Sequence, residues 1–104
     1  MYRNIKWLEP WNSLCTNENL FEEELHKELG KKHILYNKKV SIIGRRYDCD
    51  DFLFEIDNID FKFAVVHLTF SGKEESEAYP KTKGYKDLND WINRCMVPDY
   101  NEFK

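Results

Sequence analysis

The longest apolar run in the chain is Phe61-Lys62-Phe63-Ala64-Val65-Val66-His67-Leu68-Thr69-Phe70. β-Branched and aromatic residues dominate it, which predicts a central strand. Phe61, Phe63, Val65, His67 and Thr69 fall on one face. Lys62, Ala64, Val66, Leu68 and Phe70 fall on the other. Both faces are largely apolar, so both require cover. Two shorter runs precede it. Val40–Tyr47 reads as a strand with Val40 and Ile42 on one face and Ile43 on the other, and Gly44 inside it marks a bulge or a close backbone approach. Phe52–Ile56 reads as a strand with Phe52, Phe54 and Ile56 aligned. Acidic four-residue turns at 48–51 and 57–60 join the three, which predicts an antiparallel meander.

Helical spacing appears on either side of this meander. Over 17–29, Phe21, Leu25 and Leu29 recur at i, i+4 and i+8. Asn17 or Asn19 can cap this helix, with Glu22 completing a capping box, and Gly30 can close it. Near the other end, Leu88, Trp91, Ile92 and Cys95 follow the helical period from a start at Asp87, with Pro98 expected to stop the winding. The expected fold is α+β: helix, three-stranded antiparallel meander, helix, with the helices packed on one face of the sheet. Residues 1–13 form an irregular lead-in whose Trp7 and Trp11 can lie over the second face. The stretch from Ser71 to about Tyr85 reads as a loop, and 99–104 as a tail.

At 104 residues the chain fits one domain. A formal net charge of −3 lacks the basic footprint of nucleic-acid binding. No run approaches the roughly 18 apolar residues of a membrane span. The first residues lack the apolar core of a signal peptide, so a cytoplasmic setting and three reduced thiols, Cys15, Cys49 and Cys95, are expected. The cysteines do not fall at metal-ligand spacing, and no cofactor is expected.

Two groups of polar residues carry candidate chemistry. His67 is the single histidine inside a predicted strand; as a general base it needs a carboxylate or hydroxyl partner. Arg45, Arg46, Asp48, Asp50 and Asp51 surround the first hairpin, where they can pair or hold an anion or a metal. Neighbours on a strand point to opposite faces, so only one arginine and at most two of these carboxylates can converge. The second group is the acidic face of the first helix, Glu18, Glu22, Glu23 and Glu24, which with Trp7 and Trp11 forms a candidate partner surface. Such a surface would steer a basic protein partner.

The chain also resembles a family of small bacterial proteins, over His33–Asp51 and Ala64–Met96. The resemblance rests on Asn37-Lys38-Lys39-Val40, Gly44-Arg45-Arg46-Tyr47-Asp48-Cys49-Asp50-Asp51, Ala64-Val65-Val66-His67-Leu68-Thr69-Phe70-Ser71-Gly72-Lys73 and Leu88-Asn89-Asp90-Trp91. Phe70 stands where the family pattern has Trp, and Gly44 where it has Ala. The resemblance implies kinship and brings no activity with it. Two functions fit the residues. One is a small binding or inhibitory protein of the immunity type, acting by surface complementarity. The other is a small hydrolase or nucleotide-handling enzyme using His67 with Arg45 or Arg46 and Asp50 or Asp51.

Overall fold

The computed structural model describes residues 5–14, 20–58, 60–76 and 78–104. Its centre is one antiparallel sheet of five strands in chain order: β1 (Trp11–Ser13), β2 (Val40–Arg46), β3 (Asp51–Ile56), β4 (Phe63–His67) and β5 (Lys81–Tyr85). The three expected strands are the middle of this meander. The correction is at its edges. Trp11–Ser13 pairs with Gly44–Arg46, and Lys81–Tyr85 pairs with the whole of β4. Neither edge was expected as a strand. One is only three residues long, and the other sits in a stretch rich in lysine and glycine.

The helices also differ from expectation: they cover opposite faces. Helix α1 (Leu20–Glu28) brings Leu25 onto Phe52, Phe54, Ile56, Ala64 and Val66, with Leu29 and Leu35 beside it. The C-terminal helical rod lies on the other face. It comprises α2 (Leu88–Trp91), a π-helical segment (Ile92–Met96) and α3 (Val97–Phe103). Trp91 and Met96 pack with Leu53, Phe63, Tyr85 and Trp11. The Trp7 and Trp11 rings meet Trp91 edge-on, with centroids 5.8 and 5.2 Å away. The physical reason is the alternation in β3 and β4. Leu53 and Phe54 are both fully buried yet point oppositely, so a helix pair on one face would leave Leu53, Phe63 and Val65 in water.

Pro98 does not end the helix. It sits in the first turn of α3, directly after the π-helical segment, and the expected tail is helical to Phe103. A proline lacks an N–H and crowds the carbonyl four residues back. The wider π register just before it relieves that conflict. At the other end of the rod, Asp87 caps α2 by accepting the Asp90 amide at 2.8 Å.

The bulge expected at Gly44 is present. Ile42 pairs with Phe54, but Gly44 pairs with Leu53, so Ile43 is the extra residue. The bulge sets the directions that follow. Arg45 lies against Phe52 and Phe21 on the α1 face, whereas Arg46 reaches Asp99 of α3 on the other. Gly44 also lies under Trp7: a Cβ there would stand 2.5 Å from the indole and 2.7 Å from the Asn12 carbonyl oxygen. Gly44→Ala should therefore destabilise the fold by about 1–3 kcal/mol through overpacking, with the urea midpoint lowered. An unchanged midpoint would mean that Trp7 does not rest on this glycine.

Candidate functional site

The residues of the predicted cluster separate into three groups. The first is His67 with Asp51. His67 ends β4 and Asp51 begins β3, and the two are direct cross-strand partners. His67 Nδ1 lies 2.7 Å from Asp51 Oδ1. A carboxylate can only accept here, so Nδ1 donates and Nε2 is the unprotonated nitrogen of the neutral ring. The His67 side chain is 55% exposed and the Asp51 side chain 26%. The ring is thus held at one nitrogen and open to solvent beside it.

β5 completes this site. Lys81 is the cross-strand partner of His67 on the side away from Asp51, and Lys83 is the partner of Val65. Both lysines are exposed. Asp51, Val65, His67, Lys81 and Lys83 line a shallow recess of about 220 Å³ at the end of the sheet that the C-terminal rod leaves uncovered. On the opposite face, the buried His33 fastens the start of β5. Its Nδ1 accepts the Leu35 amide at 3.0 Å, so Nε2 carries the proton and donates to the Pro80 carbonyl at 2.9 Å. Thr82 Oγ1 donates to the same carbonyl at 3.0 Å. Sequence reasoning missed Lys81 and Lys83 because their stretch read as a loop. The available signal was Pro80 followed by alternation of Lys81, Lys83 and Tyr85 at strand period.

The second group is Arg45 with Asp50. The guanidinium carbon sits 4.8 Å from the Phe52 ring centroid, and the ion pair to Asp50 is long at 3.9 Å. Arg45 belongs to the α1 face and does not join His67. The third group is Arg46 with Asp48 and Asp99. Arg46 donates two bonds to Asp48, at 3.0 and 2.9 Å, and lies 3.4 Å from Asp99. Its guanidinium holds the Asp48 carboxyl below the usual range. Asp99 also accepts the Trp11 indole N–H at 2.8 Å and the Cys95 thiol at 3.5 Å. This group ties β1, β2 and α3 together. Of His67, Arg45, Arg46, Asp48, Asp50 and Asp51, only His67 and Asp51 meet at the recess.

The acidic face of α1 is engaged internally. Glu22 accepts the Ile42 amide at 3.0 Å, and Glu24 accepts the Gly72 amide at 3.0 Å. Fully buried Glu28 accepts the Thr69 and Phe70 amides at 3.0 and 2.9 Å. Burial pushes the Glu28 carboxyl up, as does its hydrogen bond with Glu24, while the two amides pull it down. Glu24 is held low, first by that same bond with Glu28. These carboxylates satisfy amides that would otherwise be unpaired. Glu23 is exposed, and Glu18, with the capping residues Asn17 and Asn19 and with Cys15, lies outside the described residues. Trp7 is half-buried and Trp11 buried, so the expected aromatic patch is largely core. Among the described residues, no three histidine, cysteine or acidic side chains converge as a metal-ligand set. No described helix is long and apolar enough to cross a membrane.

No family model matches the chain, and no curated protein or solved structure matches it either.

Burial pushes the Cys95 thiol up to about 12, with the Asp99 carboxylate adding to the effect. Cys95 should then resist iodoacetamide in the native chain at about pH 8, since the thiolate is the reactive species, and should react once urea unfolds it. Mass spectrometry of labelled peptides reads this directly. Equal labelling in both states would contradict the placement of Cys95 against Asp99.

Proposed function

We propose that the chain is a small hydrolytic or nucleotide-handling protein that acts on a phosphoester at the His67 recess. The observation that carries this reading is the 2.7 Å contact of His67 Nδ1 with Asp51 on an exposed ring, beside two lysines. Asp51 orients the imidazole through Nδ1 and leaves Nε2 facing the recess. Lys81 and Lys83 attract the anionic substrate and offset charge that develops on its oxygens. In hydrolysis, a water oxygen bonds to phosphorus as the water proton passes to His67 Nε2. The ester oxygen leaves with the bonding pair and takes that proton back from Nε2.

The alternative, a binding protein presenting an acidic helix face to a basic partner, has less support. Glu22, Glu24 and Glu28 already accept backbone amides within the chain. Arg45, Arg46 and Asp50 carry no role in the site, because each is directed elsewhere.

The test is release of p-nitrophenolate from bis(p-nitrophenyl) phosphate and p-nitrophenyl phosphate. His67→Asn should lower kcat by about 100-fold or more, the usual scale of general acid–base catalysis. Lys81→Ala with Lys83→Ala should raise KM and also lower kcat. Failure of the wild-type chain to turn over either ester, or full activity in His67→Asn, would refute the proposal.

A further inference from the structure

We infer that the groove between the end of α1 and the start of β2 docks an acidic, partly apolar segment of a partner protein. This surface is separate from the His67 recess. It is also opposite in sign to the acidic surface that the sequence suggests. The groove is the larger recess, about 670 Å³, and His26, Leu29, Tyr36, Lys38, Lys39 and Val40 line it.

Charge points to the chemistry of the occupant. The chain is acidic overall, but three of the four α1 carboxylates, Glu22, Glu24 and Glu28, accept amides of β2 and of the loop after β4, and Glu23 is exposed. The lysines at the groove are not neutralised in this way. Among the described residues, Lys38 and Lys39 make no ion pair. Lys31 and Lys32, exposed on the same connection, instead share a separate recess with Glu74 and Glu75. Lys38 and Lys39 therefore present positive charge at the groove despite the net charge of −3. Glutamates or aspartates of a partner complement it.

Shape and apolar exposure point to a peptide segment. Tyr36 is 41% exposed and Ile34, two residues before it, 57%. Exposed apolar groups flanked by lysines suit a segment that alternates acidic and apolar residues. The groove is open and shallow, and β2 backbone at Val40 and Ser41 forms part of its wall. Among the described residues, β1 pairs only with Gly44–Arg46, and no strand pairs with Val40 and Ser41 on the side away from β3.

The connection is already ordered for binding. His33, Tyr36 and Lys38 donate their amides to Gly30, His33 and Leu35 at 3.0–3.1 Å. The Lys39 carbonyl accepts from Asp57 at 3.0 Å. Asn37 takes the left-handed conformation, φ 65°, that turns the chain between Tyr36 and Lys38. A preformed surface loses little conformational freedom when a partner docks.

The experiment uses the full chain and fluorescence anisotropy. The probe is a short labelled peptide in which glutamate and aspartate alternate with leucine; its counterpart carries lysine at the acidic positions. The acidic peptide should bind and the basic one should not. Lys38→Glu with Lys39→Glu should weaken binding by about tenfold or more, and raising the salt should weaken wild-type binding. Lys38→Ala with Lys39→Ala should act in the same direction. Lys86→Glu with Lys104→Glu, an equal charge change at the two ends of the C-terminal helical rod, should alter affinity by less than about twofold. Tyr36→Ala should weaken binding without changing its salt dependence. The proposal is overturned if the wild-type chain does not bind the acidic peptide. It is also overturned if remote reversal weakens binding as much as groove reversal. Displacement of the peptide by a lower concentration of a single-stranded RNA oligonucleotide would overturn it as well, and would assign the lysines to nucleic acid instead.

Discussion

The structure depends on two adjacent strands that are apolar on both faces. In β3, Phe52, Phe54 and Ile56 face one way and Leu53 the other, and all four are buried. In β4, Ala64 and Val66 oppose Phe63 and Val65. Each large buried side chain contributes on the order of 1.5–3 kcal/mol relative to exposure, so neither face can remain wet. A chain this short supplies two covers. α1 closes one face, and the C-terminal rod with Trp7 and Trp11 closes the other. The rod reaches Phe63 and Tyr85 but not the far end of β4. His67 and Asp51 occupy that end, where a polar pair is accommodated without burial.

A second constraint follows from the short covers. Elements that end abruptly leave backbone amides without strand or helix partners, and an unpaired buried amide costs about 1–3 kcal/mol. Carboxylates meet this need repeatedly. Glu22 serves the amide of Ile42, Glu24 that of Gly72, and Glu28 those of Thr69 and Phe70. Asp99 does the equivalent for the Trp11 indole and for Arg46. The outcome is an acidic chain in which Glu22, Glu24, Glu28 and Asp99 are engaged by donors of the chain itself, while Glu23, Asp57 and Glu74 among others stay exposed. Charge counted along the sequence and charge presented to a partner are therefore different quantities here.

The middle of the fold was legible from local pattern. β2, β3 and β4, the core stripe of α1, the bulge at Gly44 and the opposite directions of Arg45 and Arg46 all follow from period and residue type. β1 and β5 were not legible in the same way. Their strand character comes from pairing with Gly44–Arg46 and with β4, interactions distant in sequence, rather than from propensity. The helix through Pro98 depends on a π-helical register that no composition signals. The site was half legible for the same reason. His67 and Asp51 stand out by type and position, but Lys81 and Lys83 join them only because β5 exists. Glu28, which flanks an apolar stripe in sequence, gave no sign that it would bind the turn after β4.

The central claim is that β3 and β4 are sealed on both faces by separate covers. Residue-resolved amide hydrogen exchange tests it most directly. The amides of Phe52–Ile56 and Ala64–Val66 should be the slowest in the chain and should exchange only through global unfolding, with β5 and β1 faster. Exchange of the β3 and β4 amides by a lower-energy local opening, at the rate of the edge strands, would contradict the account.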